Sequence, residues 1–311
     1  MIAPSGEQFE IRHGSLRATV VEVGGGLRTL AVGELEILDD FPESEMCHDA
    51  RGQILMPWPN RLAGGKYTFP RGTSAGGSPQ QLPINETSHD TAIHGLVRWT
   101  NWTAQSHAAG AVTMTHRLYP SPGYPFTLDV SAAYALGDDG LQVNLRATNA
   151  GREACPFGAG QHPYLRVGTP LVNEATLQVP ARTIHRYNDQ LIPVERIPVE
   201  DSPLDFRAPR PIGDTEINMD YTDLERGDDG RARVVLAAPG GSPSIEVWMD
   251  VAFRHVTVYT GETVQPPSRR RHGLAVEPMT CPPNAFVSGD DLIVLHPGET
   301  WSGSWGLTIR P

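Results

Sequence analysis

The chain has few cysteines and a shortage of positive charge, and each shortage excludes something. Only three cysteines, Cys47, Cys155 and Cys281, occur in 311 residues, widely spaced and odd in number, with no CxxC pair. That excludes a disulfide framework and suits a reducing compartment. Basic residues number 25 against 36 acidic ones, a net charge of −11. A nucleic-acid partner wants a basic face, so none is expected, whereas a neutral ligand remains compatible with this balance. No run of about 18 apolar residues occurs, so no membrane-spanning helix is expected. Met1 through Gly14 is polar and lacks the apolar stretch of a secretion signal, which points to a cytoplasmic location. Metal-binding spacings are missing too: eleven histidines are present, but there is no HxH, no HExxH and no paired Cys/His pattern, so no metal and no cofactor is expected. No G-x-S-x-G elbow is found.

What the chain does have is punctuation. Thirty-two glycines and 28 prolines are spread throughout and leave little room for long helices. Between them lie short stretches with period-two alternation: Ser15 to Val23, Arg233 to Ala238, Ser244 to Asp250, His255 to Thr260 and Trp301 to Ile309. These are strand signals. Gly137-Asp-Asp-Gly140 reads as a hairpin turn between Ser131–Leu136 and Leu141–Thr148. Gly24-Gly-Gly26 is followed by another strand pattern, so it reads as a turn and not as a phosphate loop, which would need a helix there. Gly72 to Pro79 reads as a hairpin or surface loop, and Pro266 to Arg271 as an exposed loop. No linker and no internal repeat interrupts residues 1–311, so a single all-β domain is expected, a large antiparallel β-sandwich.

Four segments place polar residues inside apolar or proline-braced sequence: Met56-Pro-Trp-Pro-Asn60-Arg61, Ala92-Ile-His94-Gly95, Phe157-Gly-Ala-Gly-Gln161-His162-Pro163-Tyr164, and Leu274-Ala-Val-Glu277-Pro278-Met279-Thr280. A fifth, Asn218-Met-Asp220-Tyr-Thr-Asp223, lies between the last two. In this order they resemble the galactose mutarotase (aldose 1-epimerase) family, across nearly the whole chain. The resemblance implies a supersandwich with a sugar site on a concave sheet face, and chemistry without metal or organic cofactor. By position it implies Glu277 as general base, His162 as general acid, His94 as a second site histidine, and Arg61 and Asp220 as partners of sugar hydroxyls. Asn60 and Gln161 are adjacent candidates. The sequence departs from the better-known sugar-specific members in having Gln161-His-Pro-Tyr-Leu-Arg166 and Tyr221 after the aspartate, which leaves the sugar open.

The chemistry needs such residues. Exchanging anomers means opening the ring: a base takes the proton of the anomeric hydroxyl while an acid protonates the ring oxygen, and the roles reverse on closure. A carboxylate suits the first task and an imidazole with a near-neutral pKa the second. Both His162 and Glu277 precede proline, which pushes each toward extended backbone and fixes its side chain on one sheet face. Arg61, Asp220 and Asn60 supply directional donors and acceptors, and Trp58, Tyr164 and Phe286 offer aromatic faces. Arg61 could instead brace the loop of Asp220 or Asp223. Cys281, with no base in an activating pattern, reads as a buried thiol. The function so implied is interconversion of the anomers of a free hexose such as glucose or galactose, by a monomer or homodimer. A hexose 6-phosphate epimerase of the same fold is the alternative, with Arg71, Arg98 and Arg166 as candidate phosphate cations. A catalytically silent carbohydrate-binding module, which would need no acid–base pair, and a paired-carboxylate glycosidase are weaker readings.

Overall fold

A computed structural model describes residues 2–70 and 77–310; Arg71 and most of the loop expected over Gly72 to Pro79 lie outside the described residues. The alternating stretches are strands. Leu16–Val21, Ala232–Ala237, Ser244–Met249, His255–Tyr259 and Thr300–Arg310 fall where the period-two signal put them. Leu128–Gly137 and Gly140–Asn149 form the expected hairpin, pairing from Leu128↔Asn149 to Gly137↔Gly140. Their burial alternates residue by residue, as it must when one face packs on a core and the other meets water. Among the described residues the α-helical content is a single turn, Ala285–Ser288.

Two large antiparallel sheets carry the architecture. One has nine strands, running from Thr103–Ala108 through the central Gly140–Asn149 and Thr300–Arg310 to Arg210–Pro211. The other has eight, in the order Pro193–Pro198, Ala181–Tyr187, Asn218–Leu224, His255–Tyr259, Leu274–Met279, Gly160–Gln161 and Ile54–Leu55, with Tyr164–Leu165 also pairing to Leu274–Met279. A four-stranded sheet, Gln8–His13 to Leu35–Glu36, precedes both. One continuous apolar core takes side chains from both large sheets, among them Val143, Leu145, Trp305, Val256, Val258 and Val276.

The central strand of the eight-stranded sheet, Leu274–Met279, is buried at all six residues. Its even-numbered Leu274 and Val276 enter the common core. Ala275 joins a separate small cluster with Tyr164, Val264 and Tyr259 on the other face. Glu277 shares the face of Ala275 by the strand's period of two, so the fold places a carboxylate on the face that is covered by loops and not by the opposite sheet.

Those loops are fastened by ions. Arg51, 4% exposed at its side chain, meets Asp39 at 3.1 Å and Asp49 at 2.9 Å, and Arg269 reaches the other Asp39 oxygen at 2.6 Å. Removing one partner of a buried pair strands the other charge. Arg51→Ala should therefore lose roughly 3–5 kcal/mol of folding stability, read as a lower urea midpoint; an unchanged midpoint would show that Asp39 does not depend on it.

Candidate functional site

Neighbouring strands bring remote residues into one row. Asp220 pairs with Thr257, and Thr257 with Glu277, across three adjacent antiparallel strands. The pairs Gly160↔Met279 and Tyr164↔Ala275 flank His162 and set it level with Glu277. The outcome is a contact of 3.2 Å between His162 Nε2 and Glu277 Oε1, although the residues stand 115 positions apart. Extended backbone at Glu277-Pro278 holds as expected, since both residues lie inside the strand Leu274–Met279. His162 bridges two short strands, Gly160–Gln161 and Tyr164–Leu165.

The pair lines a cavity of about 340 Å³ together with Asn60, Arg61, His94, Arg98, Tyr164 and Asn218. Thr257, Tyr259, Trp99, Glu86 and Asp49 complete much of its wall. Both rings that touch His162 fix it in place. Tyr164 stacks on it at 4.9 Å with 21° between planes, and His94 meets it edge-on at 5.3 Å. The Arg51 guanidinium sits 5.1 Å over the far ring of that stack, Tyr164. The buried ion cluster of the fold thus backs the His162 imidazole through one aromatic ring.

His94 and Asn60 bind each other twice. The His94 backbone N–H donates to the Asn60 carbonyl at 2.9 Å, and the Asn60 N–H donates to His94 Nδ1 at 3.3 Å. An accepting Nδ1 leaves the proton of the neutral ring on Nε2, so His94 carries a donor there. Both residues adopt positive φ, 66° and 55°. Arg61 grips Glu86 with two parallel bonds of 2.7 Å, a fork-to-fork geometry that holds its guanidinium rigidly at the wall. It braces neither Asp220 nor Asp223; Asp223 is occupied by Arg196 and Thr183.

Three expectations need correction. Gln161 does not face the cavity. Its amide donates to the Gly52 carbonyl and the Tyr134 hydroxyl, both at 3.0 Å, and accepts from the Trp305 indole at 3.2 Å. Adjacent strand residues point to opposite faces, so placing His162 at the cavity sends Gln161 into the core between the sheets. Asp220 is fully buried and outside the cavity wall. Its carboxylate lies 2.8 Å from both His185 Nδ1 and His255 Nδ1. The exposed residue two positions earlier on the same strand face, Asn218, reaches the wall instead, a substitution of roles that the period of two could have signalled. Among the aromatic candidates only Tyr164 lines the cavity; Trp58 and Phe286 pack on each other at 5.7 Å in the core, and Trp99 and Tyr259 take the wall positions that sequence reading did not assign.

Electrostatics follow from enclosure. Burial pushes the Glu277 carboxyl well above its ordinary range, with the Arg61 charge pulling it back and Asp220 pushing it further. Burial likewise drives the His162 imidazole down, to about 3, and the nearby Arg51, Arg98 and Arg61 add to this. His94 falls well below 6.5 for the same reasons, with His162 contributing. The direction at His162 is below the near-neutral value expected for an imidazole, because an enclosed site disfavours the charged form of each partner. Cys281 is a buried thiol pushed up to about 12 and chemically quiet.

Comparison with known proteins agrees with this architecture. The aldose 1-epimerase family model matches residues 7–308. The chain is 37% identical over 296 residues to the uncharacterized protein YihR of Escherichia coli K12, covering 95% of this chain and 91% of that one. It is 26% identical to the uncharacterized protein YphB of the same strain, covering 97% and 98%. Among solved structures, a putative aldose 1-epimerase from Escherichia coli K12 superposes with a TM-score of 0.84 at 24% identity, covering 98% of this chain and 99% of that one. A GalM/aldose epimerase homologue from C. elegans gives 0.85 at 17% identity, covering 98% of each.

Next to His94 of the cavity wall, Gly95 has φ of +70°, and an added Cβ would lie 2.0 Å from the Met56 carbonyl oxygen. Gly95→Ala should destabilise the fold by at least about 1–3 kcal/mol through backbone strain. Denaturation in urea measures it, and a variant as stable as wild type contradicts the geometry.

Proposed function

The chain belongs to the aldose 1-epimerase family, and on that premise we propose that it interconverts the α and β anomers of a free hexose such as glucose or galactose by acid–base ring opening. The observation that carries the reading is the 3.2 Å approach of Glu277 Oε1 and His162 Nε2 on the wall of a sugar-sized cavity. The anomeric oxygen and the ring oxygen are bonded to the same carbon, so the groups that move their two protons must themselves be close neighbours.

The pair shares one proton. Burial of both partners favours the uncharged arrangement, protonated Glu277 beside neutral His162. Passing that proton across the contact gives the carboxylate–imidazolium form, in which Glu277 is the base and His162 the acid, with Arg61 steadying the carboxylate. Glu277 takes the proton of the anomeric hydroxyl, the bond between the anomeric carbon and the ring oxygen breaks, and His162 protonates that oxygen. The aldehyde rotates, and His162, now neutral, takes the proton back as protonated Glu277 returns its own to the carbonyl oxygen on the other face. Atoms and charge balance at every step. Arg61, His94 Nε2, Asn60 and Asn218 are the proposed hydroxyl partners, and Trp99 and Tyr259 the apolar platforms. For Asp220 the support is indirect: it acts on the site through its charge and its strand, and sugar contact is the weaker reading for it and for Gln161.

One observation favours the phosphorylated alternative. Arg98 lines the cavity, its Nε is buried without a partner, and among the described residues no carboxylate pairs with it. Arg166 pairs with Glu36 at 2.6 Å outside the cavity and offers nothing there. Parallel assays of hexose and hexose 6-phosphate separate the two readings.

Polarimetry or NMR on freshly dissolved α-glucose and α-galactose tests the proposal. Glu277→Gln and His162→Asn should each lose about 10²–10⁴-fold in kcat; either variant at full activity removes that residue from the chemistry. The pH profile follows from the signs of the shifts. The one-proton state is lost downward when His162 also takes a proton, near pH 3, and upward when the pair gives up its proton, well above the usual carboxylate range. A broad plateau between those limits is expected. A sharp maximum bounded by ordinary carboxylate and imidazole values, about 4.3 and 6.5, would contradict it.

A further inference from the structure

Asp220, His185 and His255 come from three adjacent strands, and their ligand-type atoms all lie within 4.8 Å of one another. All three are buried. As a hydrogen-bonded cluster the group is poorly satisfied. Asp220 Oδ1 accepts nothing, and His185 Nδ1 makes no directed hydrogen bond despite standing 2.8 Å from Asp220 Oδ2. A half-satisfied buried polar network is costly. We propose that these three side chains form a binding site for a divalent transition-metal ion, zinc foremost, separate from the acid–base pair.

Two imidazole nitrogens and one carboxylate oxygen are a donor set that zinc takes, with a fourth position left for water. Nitrogen-rich borderline donors favour zinc, cobalt or nickel over the hard calcium and magnesium ions. Both nitrogens lie 2.8 Å from the carboxylate oxygen and all three donor atoms fall within 4.8 Å of one another, a spread that brackets the roughly 3.3 Å edges of tetrahedral bonds of about 2.0–2.1 Å. His255 already has the support that metal-bound histidines use: its Nε2 is held by Asp291 at 3.0 Å, and Arg254 binds that same carboxylate. His185 also lines a groove of about 1050 Å³ that shares Asn218, Tyr259 and Thr263 with the wall of the sugar cavity. Coordination needs each ligating imidazole nitrogen free of its proton, so affinity falls as pH falls. Bound metal would tie the strands Ala181–Tyr187, Asn218–Leu224 and His255–Tyr259 together immediately beside the cavity.

The test uses the purified full-length chain, stripped with a chelator, equilibrated with micromolar zinc or cobalt, desalted and measured by elemental analysis. About one equivalent per chain is expected in wild type, with His185→Ala and Asp220→Asn below a tenth. Cobalt should give the strong visible absorption of tetrahedral coordination, and zinc should raise the melting temperature reversibly to chelator. Less than a tenth of an equivalent in wild type overturns the site, as does full retention in His185→Ala. Should the variants misfold, the wild-type cobalt spectrum decides, and octahedral or absent absorption overturns the proposal.

Discussion

The structure turns on one contact: a carboxylate and an imidazole held 3.2 Å apart where neither has enough water to be comfortable as an ion. Burial alone would make Glu277 a passive acid and His162 a passive base. In the mechanism we propose their adjacency changes this, because the proton that one partner gives up is received by the other, and the pair as a whole stays neutral. Its two internal forms are mirror images in function, each able to give a proton to one oxygen and take one from another. A reversible anomer exchange needs that symmetry, since opening and closing use the partners in opposite roles.

Keeping such a pair usable demands rigidity, and the sequence spends much of its polar chemistry on it. His162 is clamped between Tyr164 and His94. Tyr164 carries Arg51 on its outer side, and Arg51 is anchored by Asp39 and Asp49. On the opposite flank Arg61 is fixed by Glu86, so its positive charge stands at a constant place relative to Glu277. Beyond Thr257 lies the His–Asp–His group, whose charge reaches Glu277 through the same sheet row. The Glu277–His162 pair is therefore the centre of a band of buried ionic groups that crosses the sheet.

Much of this was legible in the sequence, for reasons that can be named. Period-two alternation located the strands because each packs one face on the core, as Leu128–Gly137 and Gly140–Asn149 do. Proline after Glu277 signalled extended backbone, and Glu277 stands inside the strand Leu274–Met279, whereas His162 lies between the short strands Gly160–Gln161 and Tyr164–Leu165. What sequence could not give was direction and company. Gln161 and His162 are neighbours in a motif, yet opposite faces of a pleated strand separate their fates. The resemblance implied Asp220 as a partner of sugar hydroxyls, and its two histidines, His185 and His255, lie on other strands at spacings that no local pattern encodes. The same long-range convergence hid the metal-type donor set from a search for short histidine motifs. Glu86, Asp49 and Thr263 reach the cavity from loops whose paths only the folded sheets determine.

The central claim is that Glu277 and His162 act as one proton-transfer unit, and a double-mutant cycle tests it most directly. The kcat for anomer exchange would be measured in wild type, Glu277→Gln, His162→Asn and the double variant under one set of conditions. If the two side chains work as a unit, the double variant loses no more than the worse single variant, because either substitution already abolishes the shared proton. Losses that multiply, each substitution costing its full factor in the presence of the other, would mean two independent groups and would contradict the account.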